Sequence, residues 1–443
     1  MAAAAFLRAG LFGAGLAALC AGAVAQPSPQ DRPAKPQADV RHPIAVSDIK
    51  LPDPARLLFW TPDEQRFGYS HMERLFPGQV VARGKTIRPL PRAGQELAVR
   101  YSYNGAPWDT ARFMANNDVA GLLVLHDGRI VLERYGLGLD EKGRWTSFSM
   151  AKSVTSTLIG AALKDGAIKS LDEPVTRYLP ALKGTAYDGA TLRHLLTMTS
   201  GVRWNENYAD PQSDVNRLAR IAEAAAQGKS VTPGETAPGG GKVPPLVAFM
   251  GTLPRAHAPG TVFNYNTAET GLLGEVIRAA TGKPVAAYLS EKLWAPLGME
   301  QDGFWVTDKR GPEGRAMTGC CLSASLRDYG RFGQFILAGG KVGGKSLLPE
   351  GWVGEATGPR APLRGEGQGY GYQWWTVDGA GFEARGVFGQ NIRIWPEKKL
   401  VVVTLSAWPR AGDPERSKAR LAYIRAVAEA VETGAAKAGA DKT

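Results

Sequence analysis

Ser149-Met150-Ala151-Lys152 sets a hydroxyl and an amine three residues apart. On a helix, residues at that spacing share a face and their side chains meet. A serine at a helix start also lies near the positive end of the helix dipole. If the shared face is dry, burial disfavours the charged amine, and the lysine tends to lose its proton. A neutral amine beside a hydroxyl can take its proton and turn the serine into a nucleophile. Ser-x-x-Lys is accordingly an acyl-transfer signature. The run behind Ser149 carries Val154, Leu158, Ile159, Ala161 and Ala162, which suits a buried helix from Ser149 to Leu163. A second copy, Ser47-Asp48-Ile49-Lys50, runs into Leu51-Pro52-Asp53-Pro54, which cannot continue a helix. The plain structural alternative is a capping serine and a surface lysine.

Rival chemistries fit the sequence less well. Gly339 to Ser346 spells a phosphate-loop pattern, but a helical run (Tyr329 to Leu337) precedes it where a strand is needed. A glycine-rich turn is expected there. The five histidines (His42, His71, His126, His194 and His257) have no metal-ligand spacing, and His194 reads as structural in a Leu-rich helix. No G-x-S-x-G elbow exists, which argues against an α/β-hydrolase triad. No metal or cofactor is expected.

The elements that must hold Ser149 follow from periodicity. Val119 to Tyr135 alternates around Asp127-Gly128 and predicts two antiparallel strands. Residues 165–280 read as mostly helical, with a Gly- and Pro-rich surface loop at Ser230 to Pro245 and a helix from Asn266 to Ala280 ended by Gly282 and Pro284. Tyr370 to Val377, Phe382 to Trp395 and Leu400 to Ser406 are strand candidates, with a turn at Pro396 to Lys399. A last helix opens at Asp413 with Pro414 at its first position, and Leu421, Ile424, Val427 and Val431 line one face. Strands, then helices, then strands and a helix predict an α/β (α+β) fold. Its antiparallel sheet is built from both chain ends, flanked by helices, with a mostly helical domain inserted.

The 443 residues suit one large domain or two to three smaller ones. Residues 1–25 read as a signal peptide: Arg8, an apolar stretch from Leu11 to Leu19, then Ala23-Val24-Ala25. A membrane anchor and a lipid attachment at Cys20 are the weaker alternatives. Residues 26–50 read as a Pro-rich linker and 436–443 as a flexible tail. Between them, 51–164 with 290–435 form the sheet domain and 165–289 the helical one. The chain is expected to be exported, periplasmic or secreted. Past the N-terminus no run reaches the roughly eighteen apolar residues of a membrane span, so no stable insertion is expected after cleavage. The net charge of +11 is spread, without a basic-aromatic stripe, so no nucleic-acid partner is expected. Cys320 and Cys321 are expected as two buried thiols, with an adjacent-residue disulfide as the alternative.

Several motifs together carry a resemblance. Arg144 to Ser153 reads RWTSFSMAKS, Thr191 to Gly201 TLRHLLTMTSG, Pro259 to Thr267 PGTVFNYNT, and Gly386 to Gln390 GVFGQ. In this order they resemble the serine β-lactamase, penicillin-binding protein and esterase superfamily. The likeness is to its class C-like branch, which includes the 6-aminohexanoate-dimer hydrolases, and spans roughly Tyr69 to Pro409. It implies a β-lactamase-like fold and an acyl-enzyme on Ser149. Lys152 or Tyr265 would be the base, and Tyr265 would pass a proton to the leaving group. A cation nearby would favour the Tyr265 phenolate. The backbone N–H groups of Ser149 and Val387 would form the oxyanion hole, and the small Gly386 would let substrate approach the strand. Tyr208, in Trp204 to Pro211, would contact substrate. Two departures matter. Ala384-Arg385-Gly386 stands where class C β-lactamases carry Lys-Thr-Gly, and Tyr265-Asn266-Thr267 where they carry Tyr-x-Asn. Strand neighbours point to opposite faces, so Arg385 is not expected to replace the lysine. The resemblance therefore implies an amidase or carboxylesterase taking a small amide, ester or short peptide. A β-lactamase or D,D-peptidase is the second reading, and a non-catalytic binding relative the third.

Overall fold

A computed structural model describes residues 51–226, 243–361, 368–377 and 379–440. The expected signal peptide, the linker, most of the Ser230–Pro245 loop and the last three residues lie outside these. One seven-stranded antiparallel sheet organises the rest. Its order is Gln368–Tyr370, Trp375–Val377, Phe382–Gly386, Gln390–Trp395, Leu400–Ser406, Val119–His126 and Arg129–Tyr135. Strands from both ends of the chain meet where Leu400–Ser406 pairs with Val119–His126, as the element order predicts.

Alternation along these strands serves two layers, because successive side chains point to opposite faces. Leu122, Val124 and Val402 turn to the closing helix Pro414–Ala440, where they pack with Tyr423, Ile424 and Val427. Leu123, Leu125, Val401 and Val403 turn the other way. There lie the helix Met150–Lys164, which Ser149 begins, and the helix Leu326–Leu337. Both faces of the central strands are thus covered, which is why they read as nearly unbroken apolar runs. Asp413 caps the closing helix, its Oδ1 accepting from Arg416 N at 3.1 Å. That helix runs to Ala440, through part of the segment read as a tail.

A second, four-stranded sheet joins Gly78–Val81, Gly303–Val306, Leu322–Ala324 and Trp145–Thr146. Its edge strand Trp145–Thr146 leads directly to Ser149. The helical segment between the sheet regions includes Asp214–Ala226 and Thr267–Thr281, and buries Leu192, Leu195, Leu272 and Val276 in the same core as the helix Met150–Lys164.

Three expectations change. Phe382 to Trp395 is not one strand but a hairpin. Phe388 (φ 60°) and Gly389 (φ 93°) turn the chain between its arms. Tyr370 to Val377 also folds back, Tyr370 pairing with Trp375. Cys320 and Cys321 form a disulfide rather than two thiols. The Gly339–Ser346 pattern is a small hairpin, Lys341–Val342 against Lys345–Ser346, turned by Gly343 and Gly344 at positive φ.

Candidate active site

Ser149 is the N-cap of the helix Met150–Lys164, yet its side chain makes no capping hydrogen bond. Its Oγ instead accepts from Lys152 Nζ at 2.9 Å. Lys152 is 1% exposed and Ser149 8%. Lys152 Nζ also donates to the Gly319 carbonyl at 2.6 Å, which fixes the amine on the serine side of its helix. Burial pulls the Lys152 pKa down to about 8, against a smaller upward pull from the Glu206 charge. A substantial neutral fraction near pH 7 to 8 makes Lys152 able to accept the Ser149 proton.

The residue before Ser149 is backbone-strained. Phe148 has φ 42°, a left-handed conformation that bulky residues seldom adopt. Its ring is locked against Tyr69 at 5.0 Å and Phe388 at 5.1 Å. Ser147 N donates to Leu322 O at 2.7 Å, and Leu322 N to Ser147 Oγ at 3.1 Å. Packing and backbone bonds therefore hold the sharp turn that presents Ser149.

Tyr265 sits just before the helix Thr267–Thr281, whose N-cap Asn266 accepts from Ala268 N and Glu269 N. Lys152 Nζ lies 5.2 Å from the Tyr265 ring centroid, and the Ser149 side chain is near enough to Tyr265 to pull its pKa down. The three expected site residues are thus together. The surroundings of Tyr265 oppose the phenolate that a nearby cation would favour. Desolvation and the Glu206 charge push the Tyr265 pKa well above its ordinary value, and Ser149 and Arg385 only partly offset them. These shifts favour the buried amine of Lys152 over the Tyr265 phenol as a proton acceptor.

Arg385 points to the face opposite Ala384, as strand alternation predicts. Its guanidinium stacks on Trp375 at 5.1 Å, Trp375 stacks on Tyr265 at 5.7 Å, and the Arg385 charge is felt at Tyr265. Ala384 is fully buried in the core. Arg385 is also tied to Glu383, which Arg393 pairs as well.

Gly386 is also required by the fold. A Cβ there would meet the Ser147 carbonyl oxygen at 2.4 Å, so the close approach is to the segment that leads into Ser149. That contact brings Val387 beside the Ser149 turn, and Phe148, Val387 and Tyr208 share one cavity wall. The expected oxyanion donors, Ser149 and Val387, therefore belong to touching segments. Gln390, fully buried, locks the turn after Val387. Its Nε2 donates to Ser406 O at 2.7 Å, and its Oε1 accepts from Ser406 N and Trp145 Nε1.

Glu206 is the residue that spacing did not single out. It accepts from Tyr208 OH at 2.6 Å, from Thr267 N at 3.1 Å, and from Trp204 Nε1 and Thr267 Oγ1. It joins the loop of Tyr208 to the helix start behind Tyr265 and places a negative charge near both Lys152 and Tyr265. Among the described residues no group of three His, Cys, Asp or Glu could hold a metal ion.

Comparisons with known proteins agree with this architecture. A family model described as Beta-lactamase matches residues 110–426. The chain is 28% identical over 388 residues to a 6-aminohexanoate-dimer hydrolase of Paenarthrobacter ureafaciens, spanning 85% of this chain and 93% of that one. It is 31% identical over 195 residues to Esterase EstB of Burkholderia gladioli, which is 41% of this chain and 46% of the esterase. A solved Bacillus anthracis structure provisionally named as a 6-aminohexanoate-dimer hydrolase superposes with TM-score 0.72 at 25% identity, covering 87% of this chain and 99% of its own.

Proposed function

The chain belongs to the Beta-lactamase family, and from that premise we propose that it hydrolyses an amide or ester bond through an acyl-enzyme on Ser149. The observation that carries this is the buried Lys152 amine 2.9 Å from the Ser149 hydroxyl. Lys152 takes the hydroxyl proton as Ser149 Oγ bonds to the substrate carbonyl carbon. The negative charge that develops on the carbonyl oxygen is met by the N–H groups of Ser149 and Val387. The carbon–nitrogen or carbon–oxygen bond then breaks, and the leaving group takes a proton from Tyr265, which regains one from Lys152. Water next attacks the acyl-serine ester, its proton passes to the same pair, and the acid departs with Ser149 restored. No redox partner enters the balance.

The amidase or esterase reading is supported by the strand sequence. No lysine stands at this point of the strand to anchor a β-lactam carboxylate: Ala384 is buried in the core, and Arg385, the cation near Tyr265, is already paired with Glu383. A lost charge-assisted hydrogen bond is worth roughly ten- to a hundred-fold in binding. The test is turnover of nitrophenyl esters, linear amides and nitrocefin side by side, with Ser149→Ala as control. Esters or amides should outpace nitrocefin, and Ser149→Ala should abolish the difference. Efficient nitrocefin turnover with esters untouched would reverse the assignment. We also propose export. The N-terminal pattern supports it, as does a disulfide at Cys320–Cys321, which suits an oxidising compartment. Sequencing the secreted protein should give an N-terminus at Gln26.

A further inference from the structure

A cavity of about 400 Å³ is lined by Phe148, the residue before Ser149, although not by Ser149 itself. Phe148 and Val387 form part of its wall, so it borders both the Ser149 turn and the oxyanion strand. Most of the wall is apolar, with Leu57, Leu58, Phe76 and Met317 as examples, and the Cys320–Cys321 disulfide lies on it too. The polar side chains on the wall are Tyr208, Asn216, Arg220, Thr267, Thr307 and Asp308. Each already has a partner inside the protein. Tyr208 and Thr267 bond Glu206, Asn216 bonds Tyr208 O, and Arg220 bonds Pro211 O. Thr307 bonds Lys309 O and Asp308 accepts from Arg315 N. Apolar side chains outnumber these on the wall, which favours a ligand group with little to hydrogen-bond.

Two limbs of a substrate could lie here. Tyr265 hands its proton to the leaving group, and Tyr265 is not on this wall, whereas Phe148 and Val387 are. The leaving group belongs beside Tyr265, and the cavity is left for the acyl limb. We propose that this cavity is an acyl pocket, and that the substrates are esters or amides of uncharged, medium-chain aliphatic acids. The proposal rests on the Ser149 hydrolase reading. At about 30 Å³ per water-sized group, the volume holds about thirteen such groups, enough for a chain of about eight to twelve carbons. The segment Pro54–Phe59 roofs the pocket and contains no buried residue, with Leu57 and Leu58 half-buried and Phe59 half-exposed.

Nitrophenyl esters from acetate to decanoate test this, with the 6-aminohexanoate ester as the charged arm. Burying one methylene is worth up to about fourfold, so kcat/KM should climb two- to fourfold per methylene up to octanoate. The charged ester should fall at least tenfold below the hexanoate. Leu58→Trp fills the pocket from its exposed roof. It should lower octanoate kcat/KM at least tenfold while leaving acetate within twofold. Leu57→Asp, on the same segment, should give the same selective loss by putting a charge on the wall. A flat chain-length profile, or equal losses for acetate and octanoate in both variants, would overturn the acyl pocket while a fluorophosphonate adduct on Ser149 kept the hydrolase reading. No adduct and no ester turnover would overturn both.

Discussion

Lys152 gains its function from being shut away from water. With its pKa lowered to about 8, it is mostly protonated at pH 6 and mostly neutral at pH 9. A base must be neutral in the free enzyme, so kcat/KM should rise about tenfold per pH unit below that value and level off above it. Tyr265 is pushed upward, so no falling limb should appear before pH 10. A bell centred near pH 6 would contradict the assignment of Lys152 as base. Lys152→Ala and Tyr265→Phe should each cost at least about a hundredfold in kcat, with the double variant little worse than the poorer single one. Glu206 raises the pKa of Lys152, so Glu206→Gln should move the rising limb to lower pH. An unmoved limb would make Glu206 a purely structural link. The Ser149–Lys152 pair was legible because helical spacing and an apolar run suffice to put two side chains on one dry face. Tyr265 was legible only through a family motif, since no local spacing connects it to Ser149. Glu206 was not, because an acid in a polar loop looks like any other until the fold sets that loop on a helix start. The phenolate expectation counted only a nearby cation, whereas desolvation and the Glu206 charge push the other way.

Two elements carry the geometry: the hairpin after Phe382 and the helix after Asn266. The hairpin was misread as one strand because Val387 and Phe388 are strand-like by type. The break comes from positive φ at Phe388 and Gly389, held by Gln390, and that is a tertiary effect. Gly386→Ala should force its Cβ against the Ser147 carbonyl and displace the oxyanion strand. A loss of about a hundredfold or more in kcat with a folded protein is expected, the scale of a lost oxyanion donor. Unchanged kcat would separate Val387 from catalysis. On the neighbouring helix Glu269 is 1% exposed, with one carboxyl oxygen lacking a hydrogen-bond partner. Burial lifts its pKa from 4.5 to about 8. The folded chain then binds more protons than the unfolded one between those values, so stability falls as pH rises through that window. Glu269→Gln should remove that fall, gaining up to about 5 kcal/mol over the parent by pH 9 and little at pH 4. Urea unfolding at the two pH values checks this. A variant less stable than the parent at pH 9 would show that the carboxylate is satisfied.

At the scale of the molecule, the order of elements was the strongest signal. Strands near both ends of the chain, with helices between them, leave few ways to cover an antiparallel sheet, and Leu400–Ser406 beside Val119–His126 is the expected closure. The four-stranded sheet behind Trp145 was not legible. Its strands are two to four residues long, too short for an alternating pattern to stand out from turns. Yet that sheet delivers the nucleophile, the seven-stranded sheet delivers Val387, and the helical layer delivers Tyr265. These three elements converge at the Ser149 hydroxyl. Intact-protein mass after reaction with a fluorophosphonate measures it most directly. One adduct is predicted, mapping to Ser149 and formed more slowly in Lys152→Ala. Labelling that persists at full rate in Ser149→Ala would contradict it.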